Sequence, residues 1–276
     1  MRIVVTGAQG RLGRPTVAYC HAQGAEVLAV DAAAGTGEYG QTLRVDLTQP
    51  DEVYDALTGA DTVIHLAAIA AQRVYPSRHT FFTNVGMTWN ILEAAARLGV
   101  KRVVIASSLQ VNHTVTPRTP IKYEYLPIDE AHPVSPQDDY GLSKLVGETC
   151  ARTFSEHWGL SALSLRFPFI ADEAVYPTLP FKRIDQPWVA LFAWIHVQDA
   201  ARACWLAATA ELPPNTHHAL LVSARDTTCP APSREYIRQF FPEAEVRPGL
   251  AEYGSLMDGA LAEKLIGFVP EYSIGR

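Results

Sequence analysis

Tyr140 and Lys144 stand four residues apart in Asp139-Tyr140-Gly141-Leu142-Ser143-Lys144, the spacing that makes side chains neighbours on one helix face. A phenol ionises near pH ~10 in water. A cation beside it favours the ionised form, which makes Tyr140 a candidate general base and acid. A second set opens the chain, where Gly7-Ala8-Gln9-Gly10-Arg11-Leu12-Gly13 follows the apolar run Arg2 to Thr6. Glycines at Gly7, Gly10 and Gly13 permit a tight turn, and backbone N–H groups at the following helix start attract a pyrophosphate. Gln9, Arg11 and Leu12 complete that loop, and Arg11 and Arg14 are cations within reach of a phosphate. Asp31 closes the second apolar run, where a carboxylate accepts from both ribose hydroxyls and repels a 2′-phosphate. The expected cofactor is therefore NAD rather than NADP.

These residues need a frame to hold them. Arg2 to Thr6, Ala25 to Val30, Thr42 to Val45, Thr62 to Leu66, Arg102 to Ala106 and Ser161 to Arg166 are short and rich in β-branched residues, the pattern of strands buried on both faces. Helical spacing runs from the glycine loop to Gln23, over Pro50 to Leu57, Phe81 to Leu98, and from Asp139 to Trp158. Strands alternating with helices predict an α/β fold, a Rossmann-type doubly wound parallel sheet. Asp46 ends the third strand, within reach of an adenine amino group. Ala67 and Ala68 follow the fourth, where small side chains let a ligand pass close to the backbone. The proline-rich stretch from Asn112 to Asp138 breaks the alternation between Ser108 and Tyr140 and is expected to face substrate. Beyond Phe167 the pattern loosens. Strands are expected at Ala193 to Val197 and Ala219 to Val222, and helices at Asp199 to Ala208, Ser233 to Phe241 and Ser255 to Ile266. The predicted division is a dinucleotide-binding domain over 1–167 and a small substrate-binding region over 168–276, partly interleaved with late sheet strands.

Composition narrows the classes of function. The chain of 276 residues is 48% hydrophobic, with a net charge of −6, a balance unsuited to nucleic acid or an anionic membrane. Cys20, Cys150, Cys204 and Cys229 are widely spaced, without a CxxC or a Cys/His cluster. Neither a disulfide framework nor a metal site is expected, and a reducing cytoplasm fits. Met1-Arg2 runs directly into the first strand, so no signal peptide is expected. No apolar run reaches the length of a membrane span.

In order, TGAQGRLG at 6–13, Asp31, Asp46-Leu47, HLAA at 65–68 and NVGMTWNILEAA at 84–95 are followed by ASS at 106–108, YGLSK at 140–144, LRFP at 165–168 and WIHVQDAARA at 194–203. This series resembles the extended branch of the short-chain dehydrogenase/reductase superfamily, the NAD-dependent epimerases, dehydratases and dehydrogenases. The resemblance implies that Ser108 hydrogen-bonds the reacting oxygen and Tyr140 moves its proton. It also implies that Lys144 lowers the phenol's pKa and holds the nicotinamide ribose, and that Leu47 and Phe167 join the cofactor site. Asn84 would anchor the start of its helix, and His196 with Asp199 would organise a strand-to-helix corner. His65, inside a buried strand, reads as a satisfied core histidine. The helices at 81–98 and 139–158 would form a homodimer surface, with Leu142, Leu145, Val146, Thr149 and Phe154 as candidates.

The departures from that pattern point to a small substrate. Sugar-nucleotide epimerases of this branch carry VYG after the serine, where this chain has Val111-Asn112-His113. They carry an asparagine three residues after the arginine of LRFP, where this chain has Phe169. The layout is closest to uronate and aldose dehydrogenases. The expected function is an NAD-dependent oxidoreductase acting on a small sugar or sugar acid. The alternatives are a sugar-nucleotide epimerase with tightly held NAD and a non-catalytic dinucleotide sensor. Gln72, Arg73, Gln110, Asn112, His113 and Phe169 are the expected substrate neighbours, with Lys182 and Arg183 as partners for a carboxylate, since arginine suits bidentate pairing.

Overall fold

The computed structural model describes residues 1–37, 40–70, 76–112, 118–184 and 189–275. Strand β1 (Arg2–Thr6) lies inside an eight-stranded sheet, between β2 (Glu26–Asp31) and β5 (Thr62–His65). Outward from β2 come β4 (Gly40–Arg44) and β3 (Gly35–Gly37); outward from β5 come β6 (Arg102–Ser108), β8 (Ser161–Phe167) and β11 (His217–Leu221). Only β3 runs antiparallel, forming a hairpin with β4. The chain winds first toward β4 and then returns to the other side of β1. The turning point falls between β1 and β5, where the strand order of a doubly wound sheet leaves a crevice at the carboxyl ends.

Residue alternation fixes which helices cover each face, because successive strand side chains point to opposite sides. Ile3, Val5, Ile64, Val104 and Leu163 pack on the side of α1 (Gly13–Ala22), α5 (Val197–Thr209) and α7 (Ala260–Ile266). Val4, Val63, Val103, Ile105 and Ala162 pack on the side of α2 (Pro50–Leu57), α3 (Ser77–Leu98) and α4 (Asp139–Trp158). Continuous burial on both faces explains the unalternating apolar strands.

The segment 118–138 and the later chain form a third core around Tyr123, Leu126, Phe192, Tyr236 and Phe241. There β7 (Tyr125–Leu126) pairs in parallel with β12 (Glu245–Val246), and α6 (Ser233–Phe240) packs alongside. A small parallel pair, β9 (Phe169–Ala171) with β10 (Trp194–His196), leads from the main sheet into this region. The stretch expected to face substrate is therefore fastened to later chain. Asn112 Nδ2 donates to the carbonyls of His132 and Pro133, and the Glu130 carboxylate accepts from Leu221 N at 2.7 Å.

Several boundaries move for identifiable reasons. The helix expected from Ser255 begins at Ala260, because 255–258 bonds to other chain instead: Ser255 N donates to Arg225 O and Asp258 N to Ile128 O. The helix expected from Phe81 begins at Ser77. The cap of α5 is His196, whose Nδ1 accepts from Gln198 N at 3.2 Å, rather than Asp199. Asp199, buried in the first turn, accepts from the backbone of Glu271 and Tyr272 and from Arg202.

Candidate active site

The glycine loop closes the crevice at one end. Gly7 has φ +68°, and a side chain there would lie 2.7 Å from Ala67 N at the end of β5. At Gly13 a Cβ would come within 2.0 Å of Gly7 O, so both positions demand glycine. No side chain caps the N-terminus of α1, which leaves its first turn to receive an anionic ligand. A backbone that no Cβ screens, meeting an uncapped helix end, is what a dinucleotide's diphosphate requires. At the end of β2, Asp31 accepts from Gln9 N at 3.0 Å and from Ala33 N at 3.2 Å.

The floor and far wall come from β6, β8 and α4. Asp138 caps α4 by accepting from Gly141 N at 2.6 Å. Gly141 is obligatory here, since a Cβ would sit 2.5 Å from Gln110 O. That close approach brings the first turn of α4 onto the chain just past Ser108. Lys144 Nζ lies 5.5 Å from the centre of the Tyr140 ring and donates to Ala106 O at 2.7 Å. Ser108 lies beside Tyr140 in the cleft, and its Oγ accepts from Gln110 N at 3.1 Å.

Burial pushes the Tyr140 phenol up to about 12, the Ser108 hydroxyl pulling the other way. The lowering expected from Lys144 does not offset this rise: losing water costs the phenolate most, and the nearby Asp138 carboxylate raises it further. Burial also pulls Lys144 down to about 8, against the attraction of Glu148. His65 is a core histidine, as its place in the strand implies. Its ring nitrogens meet Thr6 Oγ1 at 2.8 Å and Thr88 Oγ1 at 3.3 Å, and burial with nearby Lys144 pulls it down to about 3.

One cleft of about 610 Å³ gathers Gly7, Gly10, Arg11, Leu12, Gly13 and Ala68 with Ser108, Gln110, Tyr140, Lys144, Phe167 and Phe169. Twelve expected site residues, drawn from five separate stretches of chain, thus share one space. Others stand outside its lining. Gln9 turns to Thr42 beside a neighbouring hollow. The exposed Asp46 carboxylate accepts from Thr48 N and Oγ1, which lowers its pKa, and Leu47 is buried in the core. Ala67 meets Gly7, and Asn112 is buried with its amide on loop carbonyls. Lys182 and Arg183 are exposed. Gln72, Arg73 and His113 lie outside the described residues.

Three polar residues support this site in ways their sequence positions did not announce. Asn84 spans Ile69 N, Ile69 O and Ser143 Oγ, so it ties the loop after β5 to α4 rather than anchoring the start of α3. Glu148 and Arg166 form a buried two-point pair beneath Lys144. For Glu148 a signal existed: it repeats the four-residue step from Tyr140 and Lys144 along one helix face.

A family model described as NAD dependent epimerase/dehydratase family matches residues 3–170. The chain belongs to that family. Among curated members it is 30% identical over 193 residues to "Uronate dehydrogenase" of Pseudomonas syringae pv. tomato, covering 68% of this chain and 65% of that enzyme. It is 30% identical over 245 residues to "L-arabinose 1-dehydrogenase (NAD(P)(+))" of Haloferax volcanii, covering 82% of this chain and 89% of that one. A short-chain dehydrogenase/reductase superfamily protein from Agrobacterium tumefaciens, solved with bound NAD, superposes with a TM-score of 0.73. That match covers 99% of this chain and 93% of the other, at 22% identity, and shows the shared fold. Among the described residues no helix is long and apolar enough to cross a membrane, and no three His, Cys, Asp or Glu side chains gather to hold a metal.

Proposed function

We propose that this protein is an NAD-dependent oxidoreductase acting on a hydroxyl of a small sugar or sugar acid, a uronic acid or an aldose. The observation that carries the reading is the single cleft in which Ser108, Tyr140 and Lys144 face the glycine loop. The family members named as uronate and L-arabinose dehydrogenases support the substrate class. Residues 1–167 hold the cofactor in this reading, and the chain from 168 onward completes the substrate side with Phe169.

When bound, oxidised NAD supplies a hydride acceptor beside the substrate carbon. Ser108 holds the substrate oxygen, and Tyr140 takes the hydroxyl proton as that carbon is oxidised. Lys144, fixed to Ala106 O, keeps a positive charge beside the phenol. A phenol pushed up to about 12 is protonated in the cofactor-free protein, so it starts as the acid for reduction. A second positive charge nearby lowers it toward the base needed for oxidation. Gly7, Gly10 and Gly13 carry the diphosphate, and Asp31 takes the adenosine ribose, favouring NAD over NADP. One curated relative is named for both cofactors, so this preference rests on Asp31.

A homodimer through α3 and α4 fits the exposed apolar residues there: Phe82, Trp89, Leu142 and Trp158. Phe154, expected at that surface, is buried edge-on to Trp89 at 5.1 Å and belongs to the core.

The test is oxidation of D-glucuronate and L-arabinose with NAD by the parent and by Tyr140→Phe. Turnover in the variant is expected to fall by about 10²-fold or more with NAD affinity unchanged. Normal turnover would remove the mechanism. Denaturing the purified protein and assaying the supernatant for nucleotide tests the rival. Stoichiometric NAD surviving dialysis favours an epimerase, which regenerates its cofactor in place.

A further inference from the structure

The buried side of α4 carries a second charged residue that the proton-transfer scheme leaves unused. Glu148 follows Lys144 by one helical turn, and its side chain is only 6% exposed. Its Oε1 accepts from Ser107 Oγ at 2.5 Å and from Arg166 Nε at 2.9 Å, and its Oε2 accepts from Arg166 Nη2 at 2.8 Å. Ser107 and Arg166 are themselves register partners, one on β6 and one on β8. Ser107 immediately precedes Ser108. A single carboxylate thus fastens α4 to both strands that form the floor of the cleft, one turn from Lys144 and two from Tyr140.

We propose that Glu148 is a positioning residue for the reaction: through Ser107 and Arg166 it sets the placement of Tyr140 and Lys144 against Ser108, with its own charge one helical turn from Lys144. This inference rests on the reading of Tyr140, Lys144 and Ser108 given above.

The energetics make a purely structural role a poor use of these residues. A buried ion pair adds little net stability, and apolar side chains of similar volume often do as well. Removing one partner, by contrast, leaves the other charge stranded. Arg166 Nη1 is already buried without a hydrogen-bond partner, a cost that better packing could avoid. What an apolar replacement could not supply is a fixed negative charge beneath Lys144.

The surrounding groups leave that role to Glu148. Facing Lys144 are Tyr140 and Glu148 on its own helix and His65 on β5. Facing Glu148 are Arg166 on β8 and His217 on β11, with Arg152 beyond on α4. Glu130, from the segment fastened to Leu221, lies within electrostatic reach of Arg166. Burial holds His65 down to about 3 and His217 down to about 4, so both are neutral when Lys144 titrates near 8. Glu148 attracts Lys144's proton and opposes the burial that would remove it.

The chain has five lysines, few enough for Lys144 to be followed in protein carrying ¹³C at lysine Cε, with Lys144→Met assigning its resonance. In Glu148→Gln the Lys144 titration is expected to fall by about one unit. Turnover of D-glucuronate or L-arabinose with NAD should drop about 10- to 100-fold, with substrate KM little changed. Its alkaline limb should move to lower pH with the lysine. Glu148→Gln/Arg166→Met, which removes both charges, should recover the parent melting temperature but not the turnover. Should Glu148→Gln alone not fold, both readings are taken on the double variant. An unshifted Lys144, or parent turnover in the double variant, overturns the proposal and leaves Glu148 as a support of the fold. Tyr140→Phe run alongside separates the failures. Normal turnover there removes the reading of the site and this inference with it; an inactive Tyr140→Phe beside an unshifted Lys144 removes the inference alone.

Discussion

The sheet's first six strands and the chain after Phe167 use carboxylates for different purposes. At the carboxyl edge of β2, Asp31 is half-buried and accepts from two backbone N–H groups. In the later chain, Asp199 and Asp226 are buried and saturated. Asp199 holds the backbone of Glu271 and Tyr272 together with Arg202. Asp226 holds Trp194 Nε1, Ser273 Oγ and Ile274 N. The early region gains its order from continuous strand ladders and apolar layers, so its polar groups are free to serve a ligand. Apart from β11, which joins the main sheet along β8, the later region has only short ladders, such as the three paired residues of β9 and β10. There, side-chain acceptors do the work that strand pairing does elsewhere.

Substitutions can break or sharpen this contrast. The largest stability effect belongs to the layered region. Ile64 is fully buried in β5, and Ile64→Ala should cost about 3–4 kcal/mol in chemical denaturation while leaving one cooperative transition. Asp199→Ala should cost about 2 kcal/mol, because three donors lose their acceptor. Amide exchange should rise first at Glu271 and Tyr272; uniform loosening of the sheet would erase the distinction. Acid should act through the histidine of the layered region. His65 is held down to about 3 against an ordinary 6.5, so its contribution is complete above the unfolded value and is lost as pH falls from about 6.5 to about 3. A His65→Gln variant should therefore show a shallower loss of stability over that window than the parent. Asp31→Ala should have the smallest effect on folding, under about 1 kcal/mol. It should still narrow the preference for NAD over NADP, and an unchanged ratio of the two affinities would show that Asp31 does not read the ribose.

The same contrast decides what the amino-acid sequence made legible. Buried parallel strands announce themselves by apolar composition, and the glycine loop by the conformations only glycine allows, so β1, β2, β5, β6, β8 and the turn into α1 stood out. Tyr140 and Lys144 were readable because helical spacing is local. The β3–β4 hairpin, with glycine at Gly35, Gly37 and Gly40, carries no such period. The pairing of Tyr125 with Glu245 joins residues far apart in the chain, and two-residue strands have no alternation to detect. Residues 255–258 favour a helix by composition, yet pairing with Arg225 and Ile128 overrides that preference. Glu148 repeats the four-residue step of Tyr140 and Lys144, which places it on their helix face but does not name its partners. Only the fold brings Ser107 and Arg166 to it.

Arg11 of the glycine loop and Asp172, just past β9, meet at 3.4 Å in an exposed ion pair. If Arg11 turns to a cofactor's diphosphate, it must first leave Asp172. One solvent-facing pair is then exchanged for another, and dissolved ions screen both. Cofactor affinity in this chain should accordingly depend less on ionic strength than a bare arginine in the loop would suggest. Neutralising Asp172 would make binding both tighter and more sensitive to salt.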